Sequence, residues 1–301
     1  MQLLTSSCWK DYELIDTGGM EKLERFGKYI LTRPEPQAIW EKSLPETEWE
    51  RLSHAHYRRT RGIDPSKLEL NEKGDWKLKP GMPDQWMISY SYKGMDLKFR
   101  LGLTAFGHIG VFPEQAVNWN YIYDILNPLR VTRHVSRVLN LFAYTGGSSL
   151  AARAAGAEVV HVDSVKTVVT WAKEDMETSR LSGIHWVVED ALKFVKREVK
   201  RGNQYDGIIL DPPAYGRGPE GEKWILQDSI NEMVKSCSQL LNPDAGFFIL
   251  SLYSMGFSAL IADSLLRSHF GIIPEQEIGE LYFTDRSGKK LPLGTFLRFK
   301  K

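Results

Sequence analysis

The sequence predicts an α/β protein: a mostly parallel sheet with helices on both faces, preceded by a smaller β-rich part. Three observations carry this. Beyond residue 137, apolar runs of four to six residues alternate with helix-period segments, as in a sheet covered on both sides. Before residue 115, the chain reads as β-rich but irregular, with short hairpins marked by glycine turns. A chain of 301 residues is also long enough for about two domains.

Taken in order, Leu23-Glu-Arg-Phe26, Gly27 and Tyr29-Ile-Leu-Thr32 read as a short hairpin. From Pro45 to Pro83, Trp49 and Trp76 mix with basic residues and turns, and no element is assigned. Trp86–Tyr92 and Met95–Leu101 form a second hairpin. Its Leu97, Phe99 and Leu101 alternate with Asp96, Lys98 and Arg100, and Lys93-Gly94 makes the turn. Asn118–Leu126 is predicted helical, with Trp119, Ile122, Tyr123 and Leu126 on one side and Asn127-Pro128 as its stop. Strands are predicted at Val138–Phe142, Glu158–Val162, His185–Val188, Tyr205–Leu210 and Phe247–Ser251. Helices fall between them at Ser148–Ala155, Lys166–Ser179, Leu192–Arg201 and Ser229–Leu241. The expected division is a β-rich N-terminal domain over 1–115 and the α/β domain over 116–301.

Composition excludes several classes. At 42% hydrophobic and 26% charged, the chain is not collagen-like, coiled-coil or disordered. Lys+Arg 39 against Asp+Glu 38 leaves a net charge of +1, so any nucleic-acid site must be a local patch. Two cysteines exclude a disulfide framework or a multi-Cys zinc module, and the histidines show no metal spacing, so no metal is expected. The start, Met1-Gln-Leu-Leu-Thr-Ser-Ser-Cys8, lacks a signal-peptide pattern. Gly246–Ala262 is uncharged for 17 residues, but Ser251, Ser254, Gly256 and Ser258 interrupt it. It reads as a strand, a loop and the start of a helix. The expectation is a soluble, cytoplasmic protein without a membrane segment; a homodimer is left open.

In an open α/β sheet, ligands sit at the carboxyl ends of the strands where strand order reverses. The residues after each strand are therefore the informative ones. After the first comes Phe142-Ala-Tyr-Thr-Gly-Gly147, whose glycines allow a tight turn and close approach to a ligand. It is not G-x-G-x-x-G, so the dinucleotide fingerprint fails. After the second comes Asp163, with Ser164: the carboxylate can accept both ribose hydroxyls of a nucleoside, or cap the helix that follows. After the third comes Asp190-Ala191, which can meet an adenine amino group or serve as another N-cap. After the fourth comes Asp211-Pro-Pro-Ala-Tyr215-Gly-Arg-Gly218. Its prolines stiffen the loop and leave carbonyls as acceptors beside the Asp211 carboxylate. Tyr215 can lie flat on a base, or simply pack.

This succession resembles class I S-adenosylmethionine-dependent methyltransferases. Asn140–Gly147, Asp211-Pro-Pro213, Gly110-Val-Phe-Pro-Glu-Gln115 and Leu293-Gly-Thr-Phe296 narrow it. Together they resemble bacterial enzymes that modify large-subunit ribosomal RNA on cytosine carbon-5 or guanine nitrogen-7. The likeness covers residues 106–300, with residues 1–115 matching a β-rich appendage found in many such members. It implies a Rossmann-like sheet and S-adenosyl-L-methionine as methyl donor. It also implies Phe142, Tyr144, Thr145, Gly146 and Gly147 around the methionine part, Asp163 and Ser164 on the ribose, and Asp190 and Ala191 near the adenine.

Two departures bear on the chemistry. Carbon-5 methylation needs a thiolate, and the cytosine-modifying relatives carry it just after the fifth strand. Here that place reads Leu250-Ser-Leu-Tyr253-Ser254, while Cys237 lies on an apolar helix face with Ile230, Met233, Val234 and Leu241. The Tyr215–Trp224 extension, with three glycines and a proline, reads as a mobile lid. Lys193, Lys196, Arg197, Lys200 and Arg201 share one helix face, and His54, His56, Arg58, Arg59 and Arg61 cluster upstream. The expected function is methyl transfer to a nucleobase nitrogen of ribosomal RNA, with RNA as partner. Asp211, Pro212 and Tyr215 are the catalytic candidates, and Asp211 also faces the donor. Pro213, Arg217, Trp224 and Gln115 are the substrate contacts. The alternatives are a small-molecule or protein-side-chain methyltransferase, a nicotinamide dehydrogenase and a non-catalytic RNA-binding relative.

Overall fold

A computed structural model describes residues 1–6, 9–59, 74–127, 135–253, 256–273 and 275–301. In chain order, β1 (Gln2–Leu4) is followed by β2 (Tyr12–Gly18), β3 (Glu21–Phe26), β4 (Tyr29–Pro34), α1 (Glu46–Leu52), β5 (Ala55–Arg59) and β6 (Gly74–Leu78). The hairpin β7 (Gln85–Tyr92) and β8 (Met95–Gly102) leads through a 3-10 turn at Pro113–Gln115 into α2 (Ala116–Leu126). Next come β9 (Arg137–Leu141), α3 (Gly147–Ala154), β10 (Glu158–Asp163), α4 (Lys166–Thr178), β11 (Ile184–Val188), α5 (Ala191–Lys200) and β12 (Gly207–Leu210). The short pair β13 (Tyr215–Arg217) and β14 (Lys223–Ile225) precedes α6 (Leu226–Leu240), β15 (Phe247–Leu252), α7 (Ala259–Phe270), β16 (Gln276–Thr284) and β17 (Lys290–Lys300).

The large sheet runs β1-β16-β17-β15-β12-β9-β10-β11. Its pairs are parallel except those of β17, which is antiparallel to β15 and β16. Along β9, Val138 faces one core with α2, α3 and the β7–β8 hairpin, while Leu139 and Leu141 face the other with α5 and α6. Burial on both faces is what the all-apolar strands encode. The chain leaves β9 toward β10 and β11, then returns to β12 on the other side. Strand order therefore reverses between β9 and β12, and the carboxyl ends of these strands are where such sheets place a ligand crevice.

The N-terminal sheet runs β2-β3-β4-β5-β6, with β4 and β5 parallel. It is bound tightly to the rest. At the irregularity in β2, the buried Asp16 carboxylate accepts the Leu44 N–H and the Trp49 indole N–H, each at 2.8 Å. It also meets Lys289 Nζ at 3.2 Å, from the turn between β16 and β17. Burial works against this carboxylate, but those donors outweigh it and hold the group below its usual range. The β7–β8 hairpin is joined to α4: Arg100 N–H donates to Asp175 Oδ1 at 2.7 Å, and Trp171 Nε1 donates to the Arg100 carbonyl at 2.7 Å. Side chains of α4 thus cover the free edge of β8.

Several features differ from the sequence reading. Residues 2–4, grouped there with the β-rich part, form the edge strand of the large sheet against β16. The helix expected from Ser229 starts at Leu226, whose side chain is fully buried. β16, β17 and α1 were not anticipated as elements. The Gly246–Ala262 stretch divides into β15, a loop and the start of α7. Among the described residues no helix is long and apolar enough to cross a membrane. Pro128, Cys8, Ser254 and Arg61 lie outside the described residues.

Candidate functional site

The loop after β9 is backbone-strained. Phe142 (φ 55°) and Tyr144 (φ 49°) take left-handed conformations, and Gly146 (φ 86°) follows. Non-glycine residues there cost about 1–3 kcal/mol each and gather at binding sites. Gly147 is glycine for another reason: a Cβ would lie 2.4 Å from the Trp119 ring. The backbone at Gly147 thus lies close against the indole of Trp119 in α2. Thr145 Oγ1 donates to the Gly110 carbonyl at 2.7 Å, and the Tyr144 ring packs on Phe112 at 5.3 Å. The loop thereby holds the 110–115 segment over the rim.

Asp163 ends β10. Its Oδ2 accepts the Tyr144 N–H and its Oδ1 the Val165 N–H, each at 2.9 Å. It does not cap α4 directly, since Val165 holds that position. Burial raises its carboxyl, the backbone donors only partly offsetting this. With the Ser164 N–H also close to it, the carboxylate keeps acceptor capacity for a further donor such as a ribose hydroxyl. Asp190 is the N-cap of α5: Oδ1 accepts the Lys193 N–H at 2.8 Å, leaving Oδ2 for another donor. Ser164 joins β10 to α4, and Ala191 opens α5 with its side chain buried. Beneath the rim, Asn140 Nδ2 donates to Ser149 Oγ, which meets His161 Nδ1 at 3.0 Å. Burial lowers that imidazole to about 3, so it stays neutral. Carboxylates spaced along this rim suit a cationic nucleoside and repel a pyrophosphate, so the residues fit S-adenosylmethionine.

Asp211 and Pro212 follow β12 at the crevice. Burial, with the nearby Glu114 carboxylate adding to it, pushes the Asp211 carboxyl up to about 7. Glu114 is itself only 9% exposed, and burial lifts it to about 7 as well. Glu114 was not singled out in the sequence; the one signal for it was its place in Gly110–Gln115. Gln115 Oε1 accepts Asn118 Nδ2 at 2.8 Å and Ser251 Oγ at 3.4 Å, which places its side chain at the end of β15. Tyr253, where a thiol was sought, donates its hydroxyl to Glu35 at 2.8 Å and so ties the N-terminal sheet to this rim.

The 215–225 segment is a hairpin. Tyr215 is exposed, and its hydroxyl accepts from Arg217 Nε at 3.0 Å. Trp224, expected among the substrate contacts, is 2% exposed: it packs on Phe142 at 4.7 Å and donates its indole N–H to the Pro213 carbonyl at 2.7 Å. It has no free face for a base and serves as the hairpin's anchor. Trp224 thereby also engages an acceptor carbonyl of the proline loop.

Away from the crevice, four of the five cations of this helix face are paired, Lys200 being the exception among the described residues: Lys193 with Glu220 and Glu222, Lys196 with Glu232, Arg197 with Glu189, Arg201 with Glu198. In the upstream cluster, His56 pairs with Glu21 and His54 Nδ1 accepts the Ile30 N–H, while Arg58 and Arg59 are exposed. Cys237 is buried in the second core, and burial pushes its thiol far up.

A family model described as S-adenosylmethionine-dependent methyltransferase matches residues 82–269. The ribosomal RNA large subunit methyltransferase K/L of Shewanella frigidimarina is 32% identical over 189 residues, 61% of this chain and 25% of that protein. The chain thus spans about a quarter of the length of such relatives. A SAM-dependent methyltransferase structure from Agrobacterium tumefaciens aligns with TM-score 0.88 at 36% identity, over 100% of this chain and 93% of that one. A methyltransferase structure complexed with S-adenosylhomocysteine aligns with TM-score 0.69 at 17% identity, over 97% and 75%, a likeness of fold.

Proposed function

The chain belongs to the S-adenosylmethionine-dependent methyltransferase family, and from that premise we propose that it methylates a nucleobase nitrogen of ribosomal RNA. The observation that carries this reading is the Asp211-Pro-Pro loop at the strand-order reversal, with its half-buried carboxyl raised to about 7. A carboxyl there orients a nitrogen that bears hydrogen. The names of the ribosomal RNA relatives support the substrate class. Nitrogen is favoured over carbon-5 because Tyr253 stands where the thiol would be, and Cys237 is sealed in the core.

When bound, S-adenosylmethionine supplies an activated methyl group, so the protein mainly positions the partners. Asp163 and Asp190 hold the nucleoside part, and the 142–147 loop borders the methionine part. Asp211 and the Pro212 carbonyl align the acceptor, and Tyr215 offers an exposed ring for stacking. The N-terminal sheet, with Arg58 and Arg59 exposed, recognises the RNA backbone.

The test is tritiated methyl transfer to ribosomal RNA from a strain lacking the gene, followed by nucleoside mass spectrometry. One N-methylated nucleoside is expected, with Asp211→Asn lowering its formation at least 100-fold. RNA from that strain already modified as in wild type would exclude this substrate. The net charge of +1 keeps a small-molecule or protein acceptor as the second reading. Turnover insensitive to salt would favour it, because phosphate contacts weaken steeply with salt.

A further inference from the structure

Residues 112–115 cross the rim of the sheet. Phe112 packs on Tyr144, in the loop after β9, with ring centroids 5.3 Å apart. Gln115 reaches Ser251 near the end of β15 at 3.4 Å. β12 lies between those two strands, and its Leu210 pairs with Leu250, so Asp211 is level with Ser251. The segment carrying Glu114 therefore crosses near the end of β12, close enough for the Glu114 charge to act on Asp211. Its carboxyl is nine-tenths buried, and no other described residue hydrogen-bonds to it or to the Asp211 carboxyl. Glu114, whose carboxyl accepts only its own backbone N–H among the described residues, and Asp211 thus lie at the end of the sheet where the acceptor must enter.

We propose that Glu114 is a catalytic residue: it flanks the acceptor's entry together with Asp211, and it takes up the proton released by the acceptor nitrogen. This rests on the methyltransferase reading and narrows the acceptor to a nitrogen carrying hydrogen, an exocyclic amine or an amide N–H. The nitrogen lone pair forms the new N–C bond while the donor's C–S bond breaks with its pair left on sulfur. The nitrogen's proton passes to Glu114 and then to water. Asp211, in its protonated form or through its carbonyl oxygen, keeps the acceptor oriented.

Burial raises both carboxyls, and the Glu114 charge adds to the rise at Asp211. Glu114, raised to about 7, can therefore take up and release a proton near neutral pH. The other groups facing Glu114 are Lys22, Glu24 and Arg33 of the N-terminal sheet, with Tyr12 and Tyr253. Glu24 is already neutralised by Arg33 at 2.6 Å, and Glu35 by Lys22 at 3.2 Å.

Two measurements on the full chain test this. The first is a carbon-13 NMR titration of carboxyl-labelled Glu and Asp with S-adenosylhomocysteine present. It should show two coupled groups titrating near neutrality, with one lost and the other moved toward the ordinary range in Glu114→Gln. Glu114 and Asp211 both titrating below about 5, with only Asp175 near neutrality, would overturn the pair. The second is the pH profile of kcat on ribosomal RNA. Glu114→Gln should lower kcat about 100-fold and remove the rise toward pH 7. It should leave KM and S-adenosylhomocysteine affinity within about twofold, and Glu114→Asp should recover part of the rate. A Glu114→Gln enzyme with the wild-type rate and profile would overturn the assignment. If Glu114→Gln does not fold, the wild-type titration and the Glu114→Asp profile decide. If wild type leaves ribosomal RNA unmethylated while the carboxyls titrate as expected, the substrate reading falls and the pair stands.

Discussion

Asp175 shows how a single residue stores pH sensitivity. It is fully buried on α4, Oδ1 accepts the Arg100 N–H, and Oδ2 has no partner. Burial, against the pull of that donor, raises its carboxyl to about 8. A carboxyl whose folded pKa exceeds its unfolded value stabilises the fold at low pH and loses that contribution as pH climbs through the folded value. Glu114 and Asp211 act in the same direction, so stability should fall from about pH 4 to pH 8. Asp175→Asn keeps the acceptor for Arg100 and cannot ionise. Its stability advantage should grow to on the order of 2 kcal/mol at pH 8 and vanish near pH 4, read by urea unfolding at each pH. An unchanged pH slope would refute this. The sequence shows Asp163, Asp190 and Asp211 as candidates because each directly follows an apolar strand. It conceals Glu114 because the group opposite it comes from a distant strand. The Tyr253–Glu35 contact, 218 residues apart, is hidden for the same reason.

At the element scale, the 215–225 hairpin depends on one tryptophan. Three glycines and a proline suggested a lid free to move, but Trp224 packs on Phe142 and bonds to Pro213. Removing a buried tryptophan costs about 3–5 kcal/mol when the site cannot collapse. Trp224→Ala should therefore speed amide exchange across 215–225 by at least tenfold and raise KM for the acceptor; exchange at the wild-type rate would place the anchor elsewhere. The central strands were legible because their burial on both faces leaves uninterrupted apolar runs. β17 was not, since Pro292 and Gly294 break its pattern, and neither residue is expected inside a strand. α1 escaped notice because it has seven residues and begins after Pro45 with no side-chain cap.

Across the whole molecule, one apolar core joins the two parts. Trp9, Phe26 and Leu31 belong to the same cluster as Trp119, Val138 and Leu150. The N-terminal sheet is also fastened by Asp16–Lys289, Glu13–Arg286 and Glu35–Tyr253. Calorimetry should accordingly show a single cooperative transition with equal van't Hoff and calorimetric enthalpies. Two resolved transitions would show that the parts are stable independently. The shared core also places the N-terminal sheet against the crevice, as the proposed acceptor site requires. The central claim is that the donor lies along the rim of the sheet with its reactive carbon facing Asp211 and Glu114. A crystal structure with S-adenosylhomocysteine measures this most directly. The ribose should meet Asp163, the adenine Asp190, and the sulfur should point toward the Asp211–Glu114 gap. Density for the nucleoside at any other face of the sheet would contradict the account.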